Sequence, residues 1–240
     1  MKVLVYDIET KPILAYVWGL KDQNIGLNQI KEDWSVMAYG AKWLGEKGII
    51  YEDTYKNSEK QLLTGIWELL DEADIVITQN GKSFDSRRLN ARFIHYGMRP
   101  PSPYRHIDTY LLVKSTADFT SNKLEYLTDK LCKKYKKLSH SKFPGMSLWT
   151  ECLKGNKAAW DEMKRYNIHD VLSTEELYNA VKAWGPKNMP KIYDSPATCS
   201  ICGFAAQRRG KLLGSLTLQR IQCKSPSCGK WGTEKVGKTI

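Results

Sequence analysis

The sequence predicts an α/β protein, in which a mixed sheet flanked by helices is followed by a small cysteine-bearing module. Three observations predict it. Short apolar runs alternate with helical patterns as far as Tyr96. From Asp108 to Trp184 the pattern is helical alone. After Pro196 the chain turns to Gly, Cys, Lys and Arg and loses helical periodicity.

The elements follow in order. Residues 2–8 read as a strand that Val3, Leu4, Val5 and Ile8 make largely buried. Two β-prone stretches, Ser35–Leu44 and Gly48–Tyr55, are joined by turn residues Gly45 and Gly48 and read as a hairpin. Leu62, Ile66, Leu69 and Leu70 share one side of a helix over residues 58–72. Ile75-Val76-Ile77 is a short buried strand, and Phe84 to Tyr96 is helical again. A hairpin followed by a β-α-β unit gives a mixed sheet with flanking helices. Leu124–Leu131, Leu148–Leu153 and Lys157–Trp184 are the remaining predicted helices. Gly185-Pro186, Pro190 and Pro196 then punctuate a linker. The expected boundaries are 1–185 for the first domain, 186–195 for the linker and 196–240 for the module.

Composition narrows the function classes. Hydrophobic residues make up 42% of the chain, which excludes a disordered protein. No apolar run approaches the roughly 20 residues of a spanning helix. The initial Val3-Leu4-Val5-Tyr6 is broken at once by Asp7 and Glu9, so it does not read as a signal-peptide core. A cytoplasmic protein with no membrane partner is expected. The net charge of +11 favours a polyanionic partner such as nucleic acid. The segment from Gly185 onward holds 10 Lys or Arg against 2 Asp or Glu, a net +8 of that total. A second basic run spans Lys130 to Lys142.

Three acidic motifs carry the chemistry. In Asp7-Ile8-Glu9-Thr10, residues two apart on a strand point to one face, so both carboxylates meet at the strand's end. An isolated Asp-x-Glu is more often a solvated strand end. In Asn80-Gly81-Lys82-Ser83-Phe84-Asp85, Asp85 lies at a helix N-terminus, where a carboxylate is favoured with or without a catalytic role. Gly81 is expected to permit a turn that larger residues resist. In Tyr166-Asn167-Ile168-His169-Asp170, the first and last residues are i and i+4 and share a helix face.

Together, in this order, the motifs resemble those of the DEDD 3′→5′ exonuclease superfamily, over about residues 1–184. The arrangement is similar to the proofreading domain of family-B DNA polymerases and to small phage exonucleases. The resemblance implies an RNase H-like fold and a site of Asp7, Glu9, Asp85, Tyr166 and Asp170, with Asn80 and Phe84 near the substrate. It implies two Mg²⁺ or Mn²⁺ ions. Asp7 would bridge them, Glu9 and Asp170 would complete one shell, and Asp85 would hold the second ion through water. The third motif matches the tyrosine branch, because the histidine of the other branch would fall at Arg165. His169 points about 100° away from Asp170 on an ideal helix and is expected to be a structural neighbour.

Hard divalent cations suit clustered carboxylates, and phosphodiester hydrolysis needs an activated water and a stabilised leaving oxygen. A tyrosine near its ordinary pKa of ~10 is a poor base at neutral pH, so Tyr166 is expected to orient the attacking water. Asp108 is expected to be an N-cap first and a neighbour of the site second. Trp18, Trp34, Trp43 and Phe84 offer stacking surfaces for unpaired bases, although most of the eight tryptophans are expected in the core.

Cys132 and Cys152 read as small buried hydrophobes. Cys199-Ser-Ile-Cys202 and Cys223-Lys-Ser-Pro-Ser-Cys228 suit tetrahedral Zn²⁺, and the module resembles a zinc ribbon. Four thiolates leave no open position, so this zinc would be structural. The ribbon is expected to grip nucleic acid or a replication or repair protein, or to serve only as a stabilising tail. Residue types alone leave three functional readings: DNA exonuclease, exoribonuclease, and a binding protein with a vestigial site.

Overall fold

A computed structural model of the chain describes residues 1–138, 142–186, 189–190, 192, 197–198, 205–212, 216–224 and 231–238. Strand β1 (Val3–Thr10) runs through the middle. A short hairpin of β2 (Leu14–Ala15) and β3 (Ile30–Glu32) leaves its end. Then β4 (Val36–Trp43) returns antiparallel beside β1, and β5 (Ile50–Asp53) pairs antiparallel with β4. The predicted hairpin is therefore present, with Gly45 in its turn at φ 81°.

Helix α1 (Glu59–Glu72) begins at a capping box, in which Ser58 Oγ accepts from Gln61 N and Gln61 Oε1 accepts from Ser58 N. It leads into β6 (Ile75–Thr78), parallel to β1. Helix α2 (Asp85–His95) follows, and then β7 (Arg105–Asp108), parallel to β6. The sheet order is β5-β4-β1-β6-β7. Strand β7 is absent from the sequence expectation, which treats Arg105–Asp108 only as the approach to a helix. Its Arg105 and His106 hide the strand signal, and only Ile107 and Asp108 are buried.

Helices α3 (Thr109–Thr116), α4 (Leu124–Leu131), α5 (Ser147–Leu153) and α6 (Lys157–Val181) complete the layer. The expected helix to Trp184 ends in a 3₁₀ turn over Lys182–Trp184.

The pleat of β1 divides the core. Leu4, Tyr6 and Ile8 pack with Leu62, Ile66 and Leu70 of α1 and with Leu89 and Phe93 of α2. Val3 and Val5 face the other way and pack with Ile75, Ile77 and Ile107 against Val171 and Tyr178 of α6. This is a mixed sheet with helices on both faces. Among the described residues no helix is long and apolar enough to cross a membrane.

Beyond the linker, β8 (Ala197–Thr198), β9 (Ala205–Leu212), β10 (Leu216–Cys223) and β11 (Trp231–Lys238) form an antiparallel sheet in the order β11-β10-β9-β8. The side chains of Cys199, Cys202, Cys223 and Cys228 lie outside the described residues, and so does the expected zinc site.

Candidate active site

Strand alternation decides which helix meets the first motif. Asp7 and Glu9 share the β1 face of Val3 and Val5, which is the face α6 covers. Tyr166, Asn167 and Asp170 lie on the buried side of α6. Asn167 Nδ2 donates to Asp7 Oδ2 at 2.7 Å, which joins positions 160 residues apart. Close packing makes this reach possible. A Cβ added at Gly40 on β4 would sit 2.5 Å from Asn167 Oδ1 and 3.1 Å from Val171 Cγ2, so α6 lies flush on the sheet.

Asp85 arrives from the opposite layer. It is the first residue of α2 and is buried, and its Oδ1 accepts from the Ile8 amide at 3.0 Å, between the two carboxylates of β1. The loop before it is fixed from β7. Asp108 caps α3 by accepting from Tyr110 and Leu111, and it also accepts from the amides of Asn80 (2.9 Å) and Lys82 (3.0 Å). One side chain thus serves as cap and as anchor of the second motif. The left-handed position of that loop is Asn80, at φ 62°, and not Gly81. Glycine at 81 is required by space, since a Cβ there would stand 2.5 Å from Thr78 Oγ1 and 2.9 Å from Asp85 Oδ2. The Asn80 side chain is engaged locally and accepts from Ser83 Oγ at 2.8 Å, whereas Phe84 is exposed.

The electrostatics are those of crowded acids. Burial, then Asp85, Asp170 and Glu9, push the Asp7 carboxyl well above its usual range, with Lys137 acting against them. Burial and the neighbouring Asp170 push Glu9 up to about 8, opposed by Lys137 and by a hydrogen bond with Trp149 of α5. Burial raises Asp85 to about 7, against the pull of the Ile8 amide. Burial and Asp170 raise Tyr166 to about 12, so its phenol is neutral at physiological pH.

Lys137 is the residue that sequence reasoning passes over. It lies between α4 and α5, its ammonium pairs with Asp170, and it stands 4.6 Å from the centre of the Tyr166 ring. Burial opposes its charge, yet Asp170 and Tyr166 hold it above the ordinary lysine value. Nothing in the run from Lys130 to Lys142 distinguishes it in the sequence. His169 meets expectation and turns aside, within hydrogen-bond distance of Ser173 Oγ (3.2 Å) and edge-on to Tyr135.

Among the described residues no three acidic, histidine or cysteine side chains already stand in a closed ligand arrangement. The donor set nevertheless fits hard divalent cations. Four carboxylates from three segments crowd one place, and burial, joined at Asp7 and Glu9 by the neighbouring acids, holds three of them in a protonation-prone state. An ammonium already sits among them, where positive charge is favoured.

A family described as RNase_H superfamily matches residues 25–182. Among solved structures, the chain is similar to the family B DNA polymerase from the hyperthermophilic archaeon Pyrobaculum calidifontis, at 15% identity and a TM-score of 0.53. The match covers 74% of this chain and 24% of the polymerase, so the chain corresponds to about a quarter of that protein's length. No curated protein matches the chain.

Proposed function

The chain belongs to the RNase H superfamily, and on that premise we propose that it is a metal-dependent 3′→5′ exonuclease acting on single-stranded or frayed DNA ends. The observation that supports this best is the meeting of Asp7, Glu9, Asp85 and Asp170. They come from three distant segments and from both layers around the sheet, and Asp7, Glu9 and Asp85 each cost folding energy to bury there. A structural role does not call for that arrangement.

In this reading, bound Mg²⁺ or Mn²⁺ supplies a neutralising charge for the scissile phosphate and the leaving oxygen. The chain's own residues do the rest. Asn167 and the Ile8 amide hold the Asp7 and Asp85 carboxylates in position. Tyr166, neutral and beside Trp149 and Lys137, would orient the attacking water through its hydroxyl. The water oxygen adds to phosphorus, the P–O3′ bond breaks, and the released oxygen takes a proton. The products are a nucleoside 5′-monophosphate and a strand shortened by one residue.

The zinc reading belongs to the same proposal. Thr198, which Cys199 follows in sequence, pairs with Ala205, and Cys223 pairs with Ala206. The backbones of Thr198 and Cys223 therefore flank the same end of β9. Together with the Cys-x-x-Cys spacing this placement supports a structural Zn²⁺ site in a basic ribbon that contacts nucleic acid or a replication or repair protein.

Digestion of matched end-labelled DNA and RNA strands with Mg²⁺ or Mn²⁺ tests the reading. Stepwise loss from the 3′ end of DNA is expected, with none in Asp7→Ala, which stays folded. Undiminished digestion by that variant, or by the wild type in excess EDTA, would refute the assignment. Preferential digestion of RNA would move the substrate and leave the site in place.

A further inference from the structure

Two arginine side chains on α2 lie against aromatic rings, and one of them has no charged partner among the described residues. The Arg88 guanidinium lies 4.2 Å from the centre of the Trp34 ring and 5.3 Å from that of Phe84. Arg92, one turn further, also lies over Trp34, at 5.6 Å, but its nitrogens are taken by Glu59 at 2.8 and 2.5 Å. Arg88 makes no ion pair and no side-chain hydrogen bond with any described residue. Contact with aromatic rings leaves the N–H donors of a guanidinium unspent, and they can match two phosphate oxygens at once.

Its location gives those donors a target. Arg88 is three residues after Asp85 on one helix, which puts their Cβ atoms about 5–6 Å apart on neighbouring stripes. Trp34 stands two residues before Val36, which pairs with Thr10 immediately after Glu9. Phe84 directly precedes Asp85 and is exposed. All three therefore border the end of the sheet where the carboxylates meet. A polyanion approaching four carboxylates needs fixed positive charge close by, and Lys137 is already committed to Asp170.

We propose that Arg88, held by Trp34 and Phe84, binds a backbone phosphate of the single-stranded nucleic acid entering the carboxylate cluster. The proposal rests on the nuclease reading for its choice of ligand. It makes Arg88 a substrate-binding residue rather than a member of the carboxylate set.

The test uses the full chain carrying Asp7→Ala, so that binding is measured without cleavage, with fluorescein-labelled oligo(dT) titrated at several salt concentrations. Arg88→Gln should weaken binding and lower the slope of log affinity against log salt by about 0.7, the value for one phosphate contact on a single strand. Arg88→Lys should restore the slope, because a point charge still releases a counterion. Arg87→Gln, which removes the same charge from an exposed neighbour, should leave affinity and slope unchanged. A second measurement needs no change at position 88: oligo(dT) should protect Arg88 from phenylglyoxal modification, read by peptide mass. Equal slopes for Arg88→Gln and its parent, or no protection, would overturn the proposal. If strands are digested and the slopes are equal, Arg88 alone is misassigned. If the slope falls but the wild type digests nothing, the nuclease reading fails and the phosphate contact stands.

Discussion

Helix α6 buries two ion pairs, and they are balanced in opposite ways. At Glu175, Lys42 Nζ lies 2.6 Å from Oε2, with side chains only 7% and 14% exposed, and Oε1 accepts from the Gly45 amide at 2.9 Å. One cation meets one anion, and both carboxylate oxygens are used. At Asp170 the partner is Lys137, but that single ammonium also faces Asp7 and Glu9. The first pair closes on itself and fastens α6 to β4. The second leaves carboxylates without a cation of their own, which a structural pair would not do and which a site for external cations requires. Buried charge becomes informative only when its partners are counted.

Breaking the closed pair should give the larger effect on folding. Lys42→Met leaves Glu175 buried without its cation and should cost about 3 kcal/mol of stability. Chemical denaturation measures this, and cleavage per folded molecule should hold near wild type. A variant of unchanged stability would show that the pair does not fasten the helix.

On the open side, Tyr166→Phe keeps the ring beside Trp149 and removes the hydroxyl with its hydrogen bond to Lys137. Cleavage should slow by up to ~10²-fold if that hydroxyl orients water. The binding of oligo(dT) should not change. Rates equal to wild type would make Tyr166 a packing residue.

The smallest effect sharpens the comparison most. Glu9 and Asp85 have folded-state values of about 8 and about 7, above their ordinary values, so the folded protein holds more protons than the unfolded chain between roughly pH 4 and 8. Their contribution is therefore present at low pH and is lost as pH rises through about 7 to 8. With no divalent ion added, the melting temperature should fall across that window. Adding Mg²⁺ or Mn²⁺ should raise it more at pH 8 than at pH 5, because the ion binds deprotonated carboxylates. A pH-independent melting temperature would mean the acids are not crowded as described.

Much of this was legible in the sequence, for reasons that can be located. Strand β1 announces itself because every residue from Val3 to Tyr6 is apolar, and α1 because Leu62, Ile66, Leu69 and Leu70 recur on one side. The face shared by Asp7 and Glu9 follows from strand geometry, and that of Tyr166 and Asp170 from helical spacing. The rest depended on distance in sequence. Lys137 sits in irregular backbone among similar lysines, and no local pattern selects it. The Asn167 tie to Asp7 spans the chain, so neither residue reveals the other. Strand β7 was hidden because its polar first half reads as loop. The aromatic residues divided unexpectedly. Trp43 packs against the core as most tryptophans were expected to, Trp34 carries two arginines, and Trp18 in the β2–β3 hairpin is 99% exposed.

The flush seat of α6 at Gly40 has a consequence for how sequence variation in this protein should be read. Position 40 belongs to no motif and carries no functional group, yet one added methyl there must displace Asn167, whose other end grips Asp7. The site therefore has a hidden dependent on a neighbouring strand. A survey of natural variants that scored only the four acids would pass a Gly40→Ala chain as intact, although its first carboxylate had lost its brace.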